Sequence, residues 1–242
     1  MNARNVTAAA SMLAMLAGTA LAAEQSIVIE LFTSQGCSSC PAADRVINEL
    51  SHENKVIALS LPVDYWDYLG WRDTLAKPAH SRRQDGYKEA FGERSIYTPQ
   101  AVINGTSQAV GSDRNAIESA AKMIVARTDK TAVPVSVTNN GSTLDVDVGS
   151  GTGAPATVWL LAVSKSTPVT IGRGENRGKT ITYTNVVRSW KRIAEWTGAA
   201  LKNSIPIADV NTDEIDAVVV LLQAGSIEKP APIRGAAFLS LR

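Results

Sequence analysis

Beyond residue 22 the chain holds little methionine, little histidine and two cysteines, and each scarcity narrows its chemistry. Met1, Met12 and Met15 lie near the start and Met123 alone remains, so a methionine-rich copper site is missing. The histidines, His52 and His80, have no metal-ligand spacing to the cysteines Cys37 and Cys40, so zinc lacks further ligands and no metal site is assigned. Neither histidine stands beside a nucleophile elbow, which leaves hydrolase readings with little support. Charge of one sign is also missing: the formal net charge is +1. Arg4 is the single charge in residues 1–22, and the remainder balances 23 basic against 23 acidic residues. No global field draws nucleic acid or anionic lipid to such a chain. No apolar run after residue 22 reaches membrane-spanning length, the longest, Ala217 to Ala224, being strand-sized. With 45% hydrophobic and 19% charged residues, the chain is not disordered and can bury a core.

What is present begins with Arg4, a small apolar stretch from Ala8 to Ala17, and Ala20-Leu21-Ala22. This is the pattern of a secretory signal over residues 1–22, cut after Ala22, and it predicts export to the periplasm or the exterior, where disulfides persist. Ser26 to Phe32 reads as a buried strand, Thr33 to Gly36 as a turn, and Ser39 to Leu50 as a helix capped by Ser39 with Pro41 in its first turn. Lys55 to Val63 is a second strand. An insertion at about 64–95 follows, helical over Lys77 to Phe91, and then two short strands joined by the tight turn Asn104-Gly105. Ser112 is expected to cap a helix to Arg127. This order is the plan of an α/β thioredoxin-like domain over residues 23–130. From 131 to 242, alternating and β-branched segments with Gly- and Asn-rich breaks predict an all-β, sandwich-like domain.

The two cysteines fall at the first strand-to-helix junction, where a redox motif belongs. In Cys37-Ser38-Ser39-Cys40-Pro41 the first sulfur lies by a helix N-terminus, whose free N–H groups favour the thiolate. Cys37 is therefore read as an exposed nucleophile and Cys40 as the resolving thiol. Two other readings of the pair stay open: a permanent structural disulfide in a non-catalytic binding protein, and a periplasmic copper-handling site using both thiolates.

Three further positions are candidates. Thr98-Pro99 opens the third strand, where thioredoxin-like proteins place a cis-proline facing the cysteines; by that analogy the two residues bind substrate. Glu30, a carboxylate in an apolar strand, is either a proton shuttle for the resolving thiol or the partner of a basic side chain. Trp66 belongs to a cluster with Tyr65, Tyr68 and Trp71 that either lines a substrate groove or packs the insertion. Gly172 to Lys179 lacks phosphate-loop spacing and reads as a charged hairpin loop, so no cofactor is expected.

Taken together, Glu30-Leu31-Phe32-Thr33-Ser34-Gln35-Gly36-Cys37-Ser38-Ser39-Cys40-Pro41, Tyr97 to Gly105, Gly174-Glu175-Asn176-Arg177-Gly178 and Asn185-Val186-Val187-Arg188 resemble a family of secreted, mostly bacterial proteins classed as a domain of unknown function. The resemblance covers nearly all of the chain beyond the signal. It implies a thioredoxin-like first domain, a β-rich second one, and a redox face at Cys37, Cys40 and Pro99. Unlike thioredoxin itself, the chain has no Trp before Cys37 and carries Ser38-Ser39 between the cysteines. The function expected is exported thiol–disulfide exchange with a protein or small-thiol partner.

Overall fold

The structure, a computed structural model, describes residues 26–128, 131–210 and 213–242. The expected signal at 1–22 lies outside the described residues. The elements run β1 (Ile27–Thr33), α1 (Cys40–Leu50), β2 (Val56–Pro62), α2 (Pro78–Phe91), β3 (Gln100–Ile103), β4 (Ser107–Val110) and α3 (Arg114–Thr128). Seven more strands follow: β5 (Val135–Asn139), β6 (Thr143–Val148), β7 (Ala156–Thr170), β8 (Thr180–Trp196), β9 (Leu201–Pro206), β10 (Ala217–Gly225) and β11 (Pro230–Ser240).

Contrary to the expectation from sequence, these strands do not form an α/β thioredoxin-like domain followed by an all-β sandwich. Eight of them build one sheet in the order β11-β10-β7-β8-β2-β1-β3-β4, joining the first half of the chain to the second. The joint is β2 against β8, a parallel pairing at Ser60 and Val186. Polar side chains complete it: Ser60 Oγ donates to the Thr184 carbonyl at 2.7 Å, and Asn185 Nδ2 donates to the Ala58 carbonyl at 2.9 Å. A second sheet, β5-β6-β9, covers one face of the β7–β10 end.

The burial pattern explains why the halves fuse. Every residue of β1 and the first seven of β10 are buried, as expected for central strands covered on both faces. On one face Val28, Phe32 and Leu59 share a core with Leu161, Val219 and Tyr87 of α2. On the other, Ile29 and Leu31 pack with Ala43 and Ile47 of α1 and with Ile117 of α3. Alternation along β1 thus sends odd-numbered residues toward α1 and even-numbered ones toward α2. The tight β3–β4 turn forms as its sequence predicts, with Asn104 and Gly105 at φ of 48° and 65°. The α3 cap is Asp113, whose Oδ1 accepts the Ala116 N–H at 3.0 Å. Strand β9 has no counterpart in the sequence reading. Among the described residues, no helix is long and apolar enough to cross a membrane.

Candidate active site

Strand β1 ends at Thr33 and α1 begins at Cys40, so both cysteines sit on the connecting turn and the first helical residue. The Cys37 N–H donates to the Ser34 carbonyl and the Cys40 N–H to the Cys37 carbonyl, both at 3.2 Å. This coil brings the two Cα atoms to 5.4 Å, and the sulfurs form a disulfide. Ser39 occupies the N-cap without a side-chain capping bond; its Oγ lies 3.4 Å from Cys37 Sγ. The exposure expected for Cys37 is not found. Cys37 is 2% exposed and Cys40 fully buried, while Ser38 and Ser39 face solvent.

Segments far apart in sequence hold the turn in place. A Cβ on Gly36 would lie 3.0 Å from the Cβ of Trp66, so a larger residue there would force that segment to move back by a few tenths of an ångström. Asp73 accepts the N–H groups of Gln35, Leu75 and Ala76 at 2.8, 2.9 and 3.0 Å. Burial pushes the Asp73 carboxyl upward while these bonds oppose the shift. Gln35 Oε1 accepts from Trp71 Nε1 at 2.8 Å. From the β7–β8 hairpin, the fully buried Asn176 donates through Nδ2 to the carbonyls of Gln35 at 3.0 Å and Cys37 at 2.8 Å. Its Oδ1 accepts from Lys179 Nζ at 2.9 Å. The hairpin loop that reads as a bland charged connection is therefore a clamp on the cysteine turn.

The structure brings Trp66, Thr98 and Pro99 together. The Thr98–Pro99 bond is cis. Trp66 Nε1 donates to Thr98 Oγ1 at 2.8 Å, and the Gly111 N–H donates to the Pro99 carbonyl at 2.9 Å. A Cβ on Gly111 would meet the Cβ atoms of both Pro99 and Ala43 at 3.1 Å, which places Pro99 against α1. Trp66 also stacks with Tyr68, which is 78% exposed.

Glu30 is not part of this assembly. It is even-numbered in β1 and points away from α1 into the α2 face. There its oxygens accept from Arg83 Nε at 2.7 Å, Arg83 Nη2 at 3.0 Å and the Tyr87 hydroxyl at 2.5 Å. Arg83, fully buried, also donates to Gln223 Oε1 at 2.8 Å and lies over the Trp190 ring at 4.4 Å. The carboxylate is thus the partner of a basic side chain, in a network joining β1, α2 and β10.

A different carboxyl faces the cysteine side. Asp44 lies on the buried face of α1 with Cys40, Ala43 and Ile47, and is 3% exposed. Its Oδ1 accepts from Thr33 Oγ1 at 2.8 Å, whereas Oδ2, also buried, has no hydrogen-bond partner among the described residues. Burial raises its pKa to about 7, opposed by the Thr33 bond and Arg45 and assisted by the charge of Asp73. Asp44 borders a cavity of about 590 Å³ with Pro41, Asn48 and Thr182. Sequence reading passed over it because a charged residue on a helix is usually solvated; its four-residue spacing from Cys40 was the available signal.

Comparison with known proteins places the chain among relatives. It is 32% identical over 80 residues to a protein named "Probable Thioredoxin" from Archaeoglobus fulgidus, an alignment covering 32% of this chain. The chain spans 66% of that curated relative's length. It also resembles the crystal structure of protein AGR_C_4864 from Agrobacterium tumefaciens, with a TM-score of 0.80 and 34% identity, covering 89% of this chain and 94% of that one. The pattern of the family described as "Protein of unknown function (DUF1223)" matches residues 28–223, and the chain belongs to that family.

Proposed function

We propose that the protein is a thiol–disulfide oxidoreductase acting through Cys37 and Cys40 on a protein or small-thiol partner in the periplasm or outside the cell. The observation that carries the reading is the closed Cys37–Cys40 pair on a turn at the N-terminus of α1. The stretch of similarity to the thioredoxin-named protein supports it.

The exchange is reversible. With the pair reduced, the Cys37 thiolate attacks one sulfur of a substrate disulfide, forming a mixed disulfide and releasing the other sulfur as a thiolate. Cys40 then attacks Cys37 Sγ, closing the internal disulfide and expelling the second substrate thiolate. Two electrons pass to the substrate, and the departing thiolates take up protons. Run backward, the oxidised pair withdraws two electrons from a substrate dithiol. Thr98, Pro99 and Trp66, gathered beside the turn, form the surface for an extended substrate segment.

One observation favours a second reading: both cysteines are buried beneath the Asn176 clamp, as a structural disulfide in a binding protein would be. The reduction potential of the pair, together with the alkylation rate of Cys37 against pH, decides between them. A potential above about −300 mV and a Cys37 reactive at neutral pH are expected, whereas a lower potential with an inert thiol overturns the enzyme. A Cys40→Ser variant then retains partners as mixed disulfides on Cys37.

A further inference from the structure

We propose that Asp44 is the proton acceptor for Cys40 during resolution of the mixed disulfide, and its proton donor when the internal disulfide is opened. This inference rests on the thiol–disulfide reading of the pair. Three observations lead to it. Asp44 is four residues beyond Cys40 on the same helix, and helical side chains lean toward the N-terminus, so the Asp44 carboxyl lies over the turn that begins with Cys40. Both side chains are buried on the same face, where bulk water cannot take the Cys40 proton. One carboxyl oxygen is committed to Thr33 while Oδ2 is buried and unpartnered, free to exchange a proton.

The surroundings set the range in which the group works. Thr33 of β1 holds the ionised form, Asp73 from the segment ahead of α2 opposes it, and Arg45 on the exposed side of α1 favours it. Tyr183 of β8, whose hydroxyl is buried and likewise unpartnered, is pushed far above its usual range by burial and, secondarily, by the charges of Asp44 and Asp73, so it stays neutral. Burial dominates and brings Asp44 to about 7, matched to proton exchange near neutrality. Glu30, the carboxylate that sequence reading favours, is saturated by Arg83 and Tyr87 on the opposite face.

The step balances. Cys40 Sγ gives its proton to Asp44 Oδ2 as its lone pair attacks Cys37 Sγ. The new Sγ–Sγ bond forms, the bond from Cys37 to the substrate sulfur breaks, and that sulfur leaves with the electron pair and takes a proton from water. In the opposite direction an incoming thiolate bonds to Cys37 Sγ, Cys40 leaves as thiolate, and protonated Asp44 restores its proton.

The test is stopped-flow reaction of the reduced full chain with one equivalent of dithiobis(nitrobenzoate). The first thionitrobenzoate released reports attack by Cys37 and the second reports closure by Cys40; a Cys40→Ser control gives only the first. Asp44→Asn is expected to slow the second phase by about 100-fold near neutral pH, at the lower end of general-base effects, and to leave the first phase within about twofold. Thr33→Val removes the bond that favours the ionised carboxyl, so the pH midpoint of the second phase moves upward. A merely structural role for Asp44 would not move that midpoint, and Thr33→Val carries the test if the Asn variant does not fold. Unchanged second-phase rates in Asp44→Asn, or an unmoved midpoint in Thr33→Val, overturn the assignment while the redox reading stands. If wild-type Cys37 releases no first equivalent, the redox reading fails and the Asp44 assignment falls with it.

Discussion

Replacing Asp44 by Asn should stabilise the oxidised protein by an amount that grows with pH. Below about pH 3 the carboxyl is neutral in both the folded and unfolded chains, and its charge has no bearing on stability. Between there and neutrality the unfolded carboxyl ionises at its ordinary value of 3.8, while the folded one keeps its proton up to about 7. The folded state binds the extra proton, so wild-type stability falls as pH rises through this window, by roughly 1.4 kcal/mol per unit. A shift of about three units amounts to about 4 kcal/mol above neutrality, an order-of-magnitude figure. Asn has no such dependence, and it also removes the repulsion that Asp44 feels from Asp73. Urea unfolding of both proteins with the disulfide intact, at intervals from about pH 4 to about pH 8, isolates the effect, because groups that titrate alike in both cancel in the difference. The difference should swing toward the variant by about 4 kcal/mol across the window. A difference that stays flat with pH would refute the reasoning, since Asp44 would then ionise in the fold as it does in water.

His80 predicts the opposite slope. It is buried, its Nδ1–H donates to the Pro62 carbonyl at 2.9 Å, and burial lowers its pKa to about 4. The unfolded imidazole protonates near its ordinary value of 6.5, so stability should be lost as pH falls from there to about 4, by roughly 3 kcal/mol. An NMR titration of His80 with its midpoint near the ordinary imidazole value would contradict this. Glu30→Gln leaves Arg83 as an uncompensated buried charge and should cost about 3–5 kcal/mol in thermal or urea unfolding while leaving the rate of exchange at Cys37 unchanged. A slowed exchange in a stable variant would restore Glu30 as a shuttle. Asn176→Ala strips the donors from two buried carbonyls and should cost about 2–4 kcal/mol, with faster reduction of the Cys37–Cys40 disulfide by phosphine. An unchanged reduction rate would show that the hairpin does not guard the turn.

Much of the local structure was legible. β1, α1, β2, α2 and α3 follow from apolar periodicity, and the Asn104-Gly105 turn from residues that tolerate positive φ. Strand β9 escaped because only Ile205 of its six residues is buried, leaving a weak alternation. The outer ends of β7 and β8 carry an equally weak signal: Lys165 to Thr170 alternate between partial and full exposure, and Arg188 to Glu195 hold no buried residue. The division into a thioredoxin-like domain and a β domain failed at β2 and β8, where nothing in either strand alone announces Ser60 opposite Val186.

The site divides in the same way. That two cysteines stand three residues apart where a strand gives way to a helix is legible locally, because alternation, helical spacing and turn chemistry act over a few neighbouring residues. Long-range packing settles that Cys37 is covered, that Asn176 reaches it from 139 residues away, and that Asp44 rather than Glu30 keeps a free carboxyl oxygen on the cysteine side. Those outcomes depend on desolvation, and how far a group is stripped of water is set by whichever distant strands and loops close over it.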